Sequence, residues 1–127
     1  MLRFILASLL VVGCSDKQEQ SPPATQDKPA TPAAAQEARA TFDTLCSTCH
    51  GKSGKGDGVA AASLDPKPRN YTDKAWQASI TDDQIRKIIV EGGPAVGKSP
   101  LMPPNPQFKD KPEVVDELVK IVRSFAQ

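Results

Sequence analysis

The chain has 127 residues, which is enough for one small domain. Lysine plus arginine number 16 and aspartate plus glutamate 15, so the net charge of +1 gives no basic field that would gather nucleic acid. Aromatic residues make up only 5 % of the chain, which leaves few large side chains for an apolar core and indicates that something else fills it.

Residues 1–13 have the order of parts that is typical of an export signal: a positive charge at Arg3, an apolar run, then small residues. The run is too short for a membrane-spanning helix. Its ending, VVGC, resembles a bacterial lipoprotein signal, which is cut before a cysteine that becomes lipid-modified. We therefore expect Cys14 to be the lipidated N-terminus and the membrane anchor. An ordinary signal peptide that is cut nearby is the alternative.

The following segment, residues 14–36, has no large apolar residue and is rich in proline, alanine, glutamine and threonine. Such a composition buries too little surface to offset the entropy of ordering, so we expect a flexible tether. Ser15 stands where aspartate favours the inner membrane in lipoproteins. The expected location is therefore the cell envelope, facing the periplasm, with the outer membrane slightly favoured.

The folded domain is expected over residues 37–127, and it is predicted to be all-α because no alternating strand pattern occurs. A first helix is predicted over Glu37–Cys46. The second is predicted over Asp82–Glu91, with a capping box of Thr81 and Gln84 at its start and Gly92 at its end.

A third helix is predicted to start near Asp110, where Glu113 completes a second capping pattern. Its apolar residues recur at helical spacing and predict a face that packs into the core. This face consists of Val115, Leu118, Val119, Val122 and Phe125.

The stretch CSTCH lies at the end of the first predicted helix and is the candidate cofactor site. It matches C-x-x-C-H, the attachment motif of c-type haem. Cys46 and Cys49 can add to the two porphyrin vinyl groups, and His50 can then reach the iron. A zinc site is disfavoured because His50 is the only histidine and Cys14 the only other cysteine. A thioredoxin-like dithiol would need a βαβ context, which the sequence lacks. The prediction is one covalent haem c.

The second axial ligand is predicted to be Met102, which is the sole methionine once Met1 has left with the signal. It lies in SPLMPP, where prolines restrict a loop backbone and suit it to holding a weak thioether ligand. Ligation by His50 and Met102 leaves no open position on the iron, so the predicted role is one-electron transfer and not enzymatic catalysis. The alternatives are a haem peroxidase or gas sensor with a displaceable sixth ligand, and a haem subunit of a larger oxidoreductase.

The stretch GGPAVGKS, Gly92 to Ser99, matches the phosphate-binding pattern G-x-x-x-x-G-K-[ST]. A phosphate loop follows a strand and opens a helix, whereas this stretch follows a predicted helix and precedes PLMPP. The match is therefore interpreted as chance, and no nucleotide is expected.

With these residues in hand, the chain from Glu37 to Gln127 resembles a single-haem class I cytochrome c. The resemblance implies a small all-α fold, with three main helices and long loops wrapped around one covalent haem. It also implies that the first and last helices cross beside the haem, Ala38 and Phe42 against Val122 and Phe125. The implied partners are redox proteins that donate and accept electrons.

The segment LDPKPRNYTDKAW resembles the part of that family that wraps the haem, where a proline carbonyl accepts the proton of the histidine ligand. Pro66 or Pro68 is expected in this role, and Arg69, Tyr71 and Trp76 are suited to meeting the haem propionates. Four lysines are candidates for a ring around the haem edge that would favour an acidic partner. They are Lys52, Lys55, Lys67 and Lys98.

Overall fold

The structure, a computed structural model, describes residues 31–127, and this part of the chain is helical with no strand. The all-α prediction is confirmed. Residues 1–13 and residues 14–30 of the predicted tether, Cys14 included, lie outside the described residues. Within the described part, no helix combines the length and apolar character that a membrane span requires.

The N-terminal helical segment has three parts: α1 (Pro32–Thr41), a π-helical turn (Phe42–Cys46) and α2 (Ser47–His50). The predicted start at Glu37 is wrong, because residues 32–36 already belong to α1. Proline suits the first helical position, alanines follow it, and the Thr31 hydroxyl caps the helix by accepting from the Ala34 amide at 3.2 Å.

Two short helices follow the loop after α2: α3 (Lys74–Ser79) and α4 (Asp82–Glu91). The bounds of α4 and its capping box are confirmed, with both reciprocal hydrogen bonds of Thr81 and Gln84 present. Helix α3 was not predicted. The sequence feature that marks its start is Asp73, an N-cap residue. Its carboxylate accepts hydrogen bonds from the backbone amides of Ala75 and Trp76, at 3.0 and 3.1 Å.

The last helix, α5 (Pro112–Ser124), begins later than the predicted Asp110 and lacks the predicted side-chain cap. The reason is Pro112, which fits the first helical position but disfavours helical backbone at the residue before it. Lys111 accordingly has φ −129° and ψ 58°. The predicted apolar face is otherwise confirmed: Val115, Leu118, Val119 and Val122 are buried, and Phe125 is half-buried beyond the helix end.

The core forms where α1 and the π-helical turn pack against α5. Ala38 and Phe42 are fully buried, and the Phe42 and Phe125 rings lie 5.3 Å apart between centroids. Helix α4 also packs on α5, and its first residue, Asp82, pairs with Arg123 at 2.7 Å. The crossing of the first and last helices is therefore confirmed.

Three short 3₁₀ turns interrupt the connecting loops, at Ala61–Ser63, Pro94–Val96 and Pro106–Phe108. The stretch Gly92–Ser99 contains the second of them and directly follows α4. It has neither the preceding strand nor the following helix of a phosphate loop, which agrees with the flanks that the sequence predicted.

Candidate functional site

A cavity of about 330 Å³ lies between the N-terminal helical segment, α4, α5 and the loops that join them. Its wall is mainly apolar. Protein interiors are close-packed, and an engineered cavity of roughly 150 Å³ already binds benzene. A void of this size therefore indicates a core that is built around an apolar group. The buried apolar residues that line it include Phe42, Ile85, Leu118 and Val122.

Cys46, Cys49 and His50 all line this cavity. Spacings of three and four residues place side chains on one face of a helix, and here the π-helical turn and α2 present all three together. Both cysteines are half-buried, and neither forms a disulfide. Burial raises the pKa of the Cys46 thiol to about 11, so it is a neutral thiol at pH 7.

His50 is buried, and its Nδ1–H donates to the backbone carbonyl of Arg69 at 3.1 Å. Because a carbonyl only accepts, this bond leaves the Nε2 lone pair free to bind a metal. Burial lowers the pKa of His50 and outweighs the opposite effect of the hydrogen bond, which keeps the ring neutral. The expectation that Pro66 or Pro68 supplies this carbonyl is wrong: both line the cavity, but the acceptor is the next residue, Arg69.

Tyr71 stacks on the His50 ring, with 4.5 Å between centroids and 13° between the planes. Its other ring neighbours are Trp76 and Phe125, at 5.6 and 6.2 Å. Burial raises the pKa of Tyr71 and keeps it a neutral phenol. No feature of the sequence pointed to this stack, which joins residues 21 positions apart only in the folded chain.

Arg69, Tyr71 and Trp76 all line the cavity, and the Arg69 guanidinium lies over the Trp76 ring at 5.8 Å. This cation–π contact places a positive charge at the wall of the cavity. Contact between these three side chains and haem propionates stays a prediction.

Met102 lines the same cavity and belongs to the loop between the 3₁₀ turns Pro94–Val96 and Pro106–Phe108. This loop is attached to the end of α4. The Met102 carbonyl accepts a hydrogen bond from the backbone amide of Gly93 at 3.0 Å. The backbone amide of Asn105 donates to the Val90 carbonyl at 2.9 Å. Asn105 was not singled out from the sequence. The role of Met102 as a ligand stays a prediction.

Of the four candidate lysines, Lys67 and Lys98 line the cavity, whereas Lys52 and Lys55 do not. The Lys67 ammonium donates to the carbonyls of Ala61 and Ala62, both at 2.9 Å. Two of the four therefore lie at the cavity wall, and a ring of four lysines around the haem edge stays a prediction. Lys52 and Lys55 belong to the loop after His50, and both are exposed.

The comparison with protein families gives a match to the cytochrome c family model over residues 35–124. The chain belongs to the cytochrome c family. The comparison with curated proteins gives no match. Members of the family carry covalent haem c through C-x-x-C-H, a motif that Cys46, Cys49 and His50 fit. An apolar cavity with two thiols and a neutral imidazole at its wall suits this cofactor, so the cytochrome carries haem c and serves haem-based electron transfer.

Gly54 lies in the loop after His50 of this cytochrome, with φ +70°. A Cβ there would be 2.7 Å from Cγ of Phe125. Gly97, with φ +68°, has nothing within 4 Å of such a Cβ, which makes it a matched control.

We predict that Gly97→Ala lowers the free energy of unfolding by about 1 kcal/mol, the cost of left-handed backbone. Gly54→Ala should lower it by about 1–3 kcal/mol more, because the Phe125 ring must move. Denaturant unfolding of the holoprotein measures both. Equal losses in the two variants would contradict the close approach of Gly54 and Phe125.

Proposed function

We propose that this protein is a single-haem class I cytochrome c that carries one electron at a time in the cell envelope, with His50 and Met102 as axial ligands. One observation supports this proposal most directly. The cavity that His50 lines with its neutral imidazole is also lined by Met102, the only methionine of residues 31–127. The two ligand types that the proposal needs therefore border a single apolar space.

Each protein group has a separate task in this proposal. Cys46 and Cys49 hold the cofactor covalently, and the Arg69 carbonyl keeps the His50 ring oriented with Nε2 available. Met102 supplies a neutral thioether, which favours the reduced state of iron over the oxidised one. Haem supplies a one-electron iron couple when bound. With both axial positions taken by side chains, a substrate has no site on the iron, and electrons pass between the cofactor and partner proteins.

Optical spectra of the purified protein in both oxidation states, before and after carbon monoxide is added, test the proposal. Low-spin spectra and slow or weak carbon monoxide binding are expected when Met102 occupies the sixth position. A high-spin wild type that binds carbon monoxide quickly would instead favour a haem peroxidase or gas sensor. A holoprotein that is isolated only within a stable larger complex would favour the subunit alternative.

The proposed location is the periplasmic side of the cell envelope, slightly favouring the outer membrane, with a lipid on Cys14 as the anchor. Two features support it: the VVGC ending of the apolar segment, and the polar, proline-rich residues that follow. Helix α1 begins at Pro32, so the proposed tether is residues 15–31. Fully extended as polyproline, a segment of this length would reach at most about 50 Å.

We predict that Cys14→Ser abolishes lipidation and moves the cytochrome from the membrane fraction to the soluble fraction or leaves it unprocessed. Ser15→Ala, one residue away, should stay lipidated and serves as the control. Fractionation and mass spectrometry of the mature N-terminus measure both variants. A wild-type N-terminus at another residue, with no acyl mass, would overturn the proposed anchor.

A further inference from the structure

Gln77 is a buried residue of α3, and the hydrogen-bond partners of its side-chain amide all lie outside this helix. Its Nε2 donates to the Tyr71 carbonyl at 2.8 Å and to the Val122 carbonyl at 2.9 Å. It thereby joins the loop that carries Tyr71 to α5. A buried carbonyl that lost this donor would be left without a partner in the protein.

Arg123, on α5, fixes the orientation of this amide. Its Nη1 donates to Oε1 of Gln77 at 2.8 Å and to the Gln77 carbonyl at 2.7 Å. Because a guanidinium only donates, Oε1 faces Arg123 and Nε2 faces the two carbonyls. Nη2 donates to the Ile80 carbonyl and Nε to the Asp82 carboxylate, so all three nitrogens of the guanidinium donate hydrogen bonds.

Tyr71 is in turn held through its backbone on both sides. Its amide donates to the Gly54 carbonyl at 2.6 Å, and its carbonyl accepts from Gln77. Its ring, fixed in this way, stacks on His50. Hydrogen bonds and one ring contact thus lead from Arg123 through Gln77 and Tyr71 to His50.

We propose that Gln77 and Arg123 are positioning residues for the iron-binding imidazole, acting through the stack of Tyr71 on His50. The proposal rests on His50 being an iron ligand, as in the proposed function. Two restraints act on the ring: the bond from Nδ1 to Arg69 holds one edge, and the Tyr71 stack sets the plane. Loss of the stack removes one of these two restraints, so the ring can turn about its bond to Cβ as far as the Nδ1 bond to Arg69 allows, which changes the direction of the imidazole plane.

The decisive variant is Gln77→Glu in the holoprotein. An ionised glutamate has nearly the same shape and still accepts from Arg123, which favours its charged form, but it donates nothing to the Tyr71 carbonyl. The control is Arg86→Gln. Arg86 links α4 to Asp116 of α5 at 2.6 Å, and its side chain is 31 % exposed against 29 % for Arg123. No hydrogen bond connects it to Tyr71.

The measurement is the proton NMR spectrum of the oxidised protein, in which the order and spread of the haem methyl shifts report the direction of the imidazole plane. The midpoint potential is measured in parallel. Gln77→Glu should change the methyl pattern and shift the potential, and Arg86→Gln should leave both as in the wild type. A wild-type pattern in Gln77→Glu, or an equal change in Arg86→Gln, would overturn the proposal even if either variant is less stable.

If Gln77→Glu does not fold, two variants of Tyr71 test the proposed role of the stack instead. Tyr71→Phe keeps an aromatic ring over His50 and should stay closer to the wild-type methyl pattern than Tyr71→Leu, which removes the ring. Identical patterns in the two Tyr71 variants would refute the proposal. Failure of the proposed function is recognised separately, because rapid carbon monoxide binding or a high-spin spectrum would then be found in the wild type itself.

Discussion

Cys46→Ala/Cys49→Ala, the double variant, is expected to lose its haem completely and with it the native fold. Without the two thioether bonds, the group that fills the cavity is held only by non-covalent contacts and by the proposed His50 and Met102 ligands, so it can dissociate. At about 24 cal/mol per Å³, an empty cavity of about 330 Å³ costs on the order of 8 kcal/mol. Small domains have a net stability of roughly 5–15 kcal/mol, so the haem-free chain is expected to be largely unfolded.

Extraction into acidic organic solvent measures attachment, and circular dichroism measures helix content. Wild-type haem should stay with the denatured chain. Thr48→Ala changes an exposed residue between the two cysteines and should behave as the wild type. Free extraction of haem from the wild type would refute covalent attachment, and a fully helical double variant would refute the energetic argument.

Met102→Ala is expected to keep the fold but open the iron to external ligands. Cys46, Cys49 and His50 still hold the cofactor, while the sixth position becomes available to water, carbon monoxide or the nearby Lys98, which lines the same cavity. Removal of the thioether removes the ligand that favours reduced iron. The midpoint potential should therefore fall by on the order of 0.1 V, within the roughly 0.8 V that axial ligands span.

Carbon monoxide titration of the reduced protein and a redox titration measure this prediction. Leu101→Ala is the matched control, since Leu101 is the adjacent residue of the same loop, lines the cavity and is 45 % exposed. It should remain low-spin and bind carbon monoxide poorly. An unchanged spectrum and potential in Met102→Ala would show that Met102 is an ordinary loop residue.

The features that the sequence predicted well depend on neighbours in the chain. The C-x-x-C-H spacing brings Cys46, Cys49 and His50 together because one helical segment carries all three. Helix α4 was predicted to the residue because its capping box and its final Gly92 are local signals.

The features that the sequence did not predict depend on long-range packing or on proline at a helix start. The acceptor for His50 is 19 residues away, at Arg69, and only the path of the loop decides which carbonyl faces the ring. The contacts of Gln77 with Val122 and Arg123 join α3 to α5. At Pro32 the proline-rich composition suggested disorder, whereas the structure uses that proline as the first residue of a helix.

The direction of the N-terminal helical segment decides where a membrane tether would join the domain. Pro32 and His50 are the two ends of this segment, which corresponds to roughly 28 Å of helix at 1.5 Å per residue. The chain therefore enters the domain at the end that lies away from the C-x-x-C-H residues. With the proposed lipid on Cys14, the proposed tether would join the domain at the end remote from the haem-bearing residues. A redox partner could then approach the C-x-x-C-H end without meeting the point where the tether is attached.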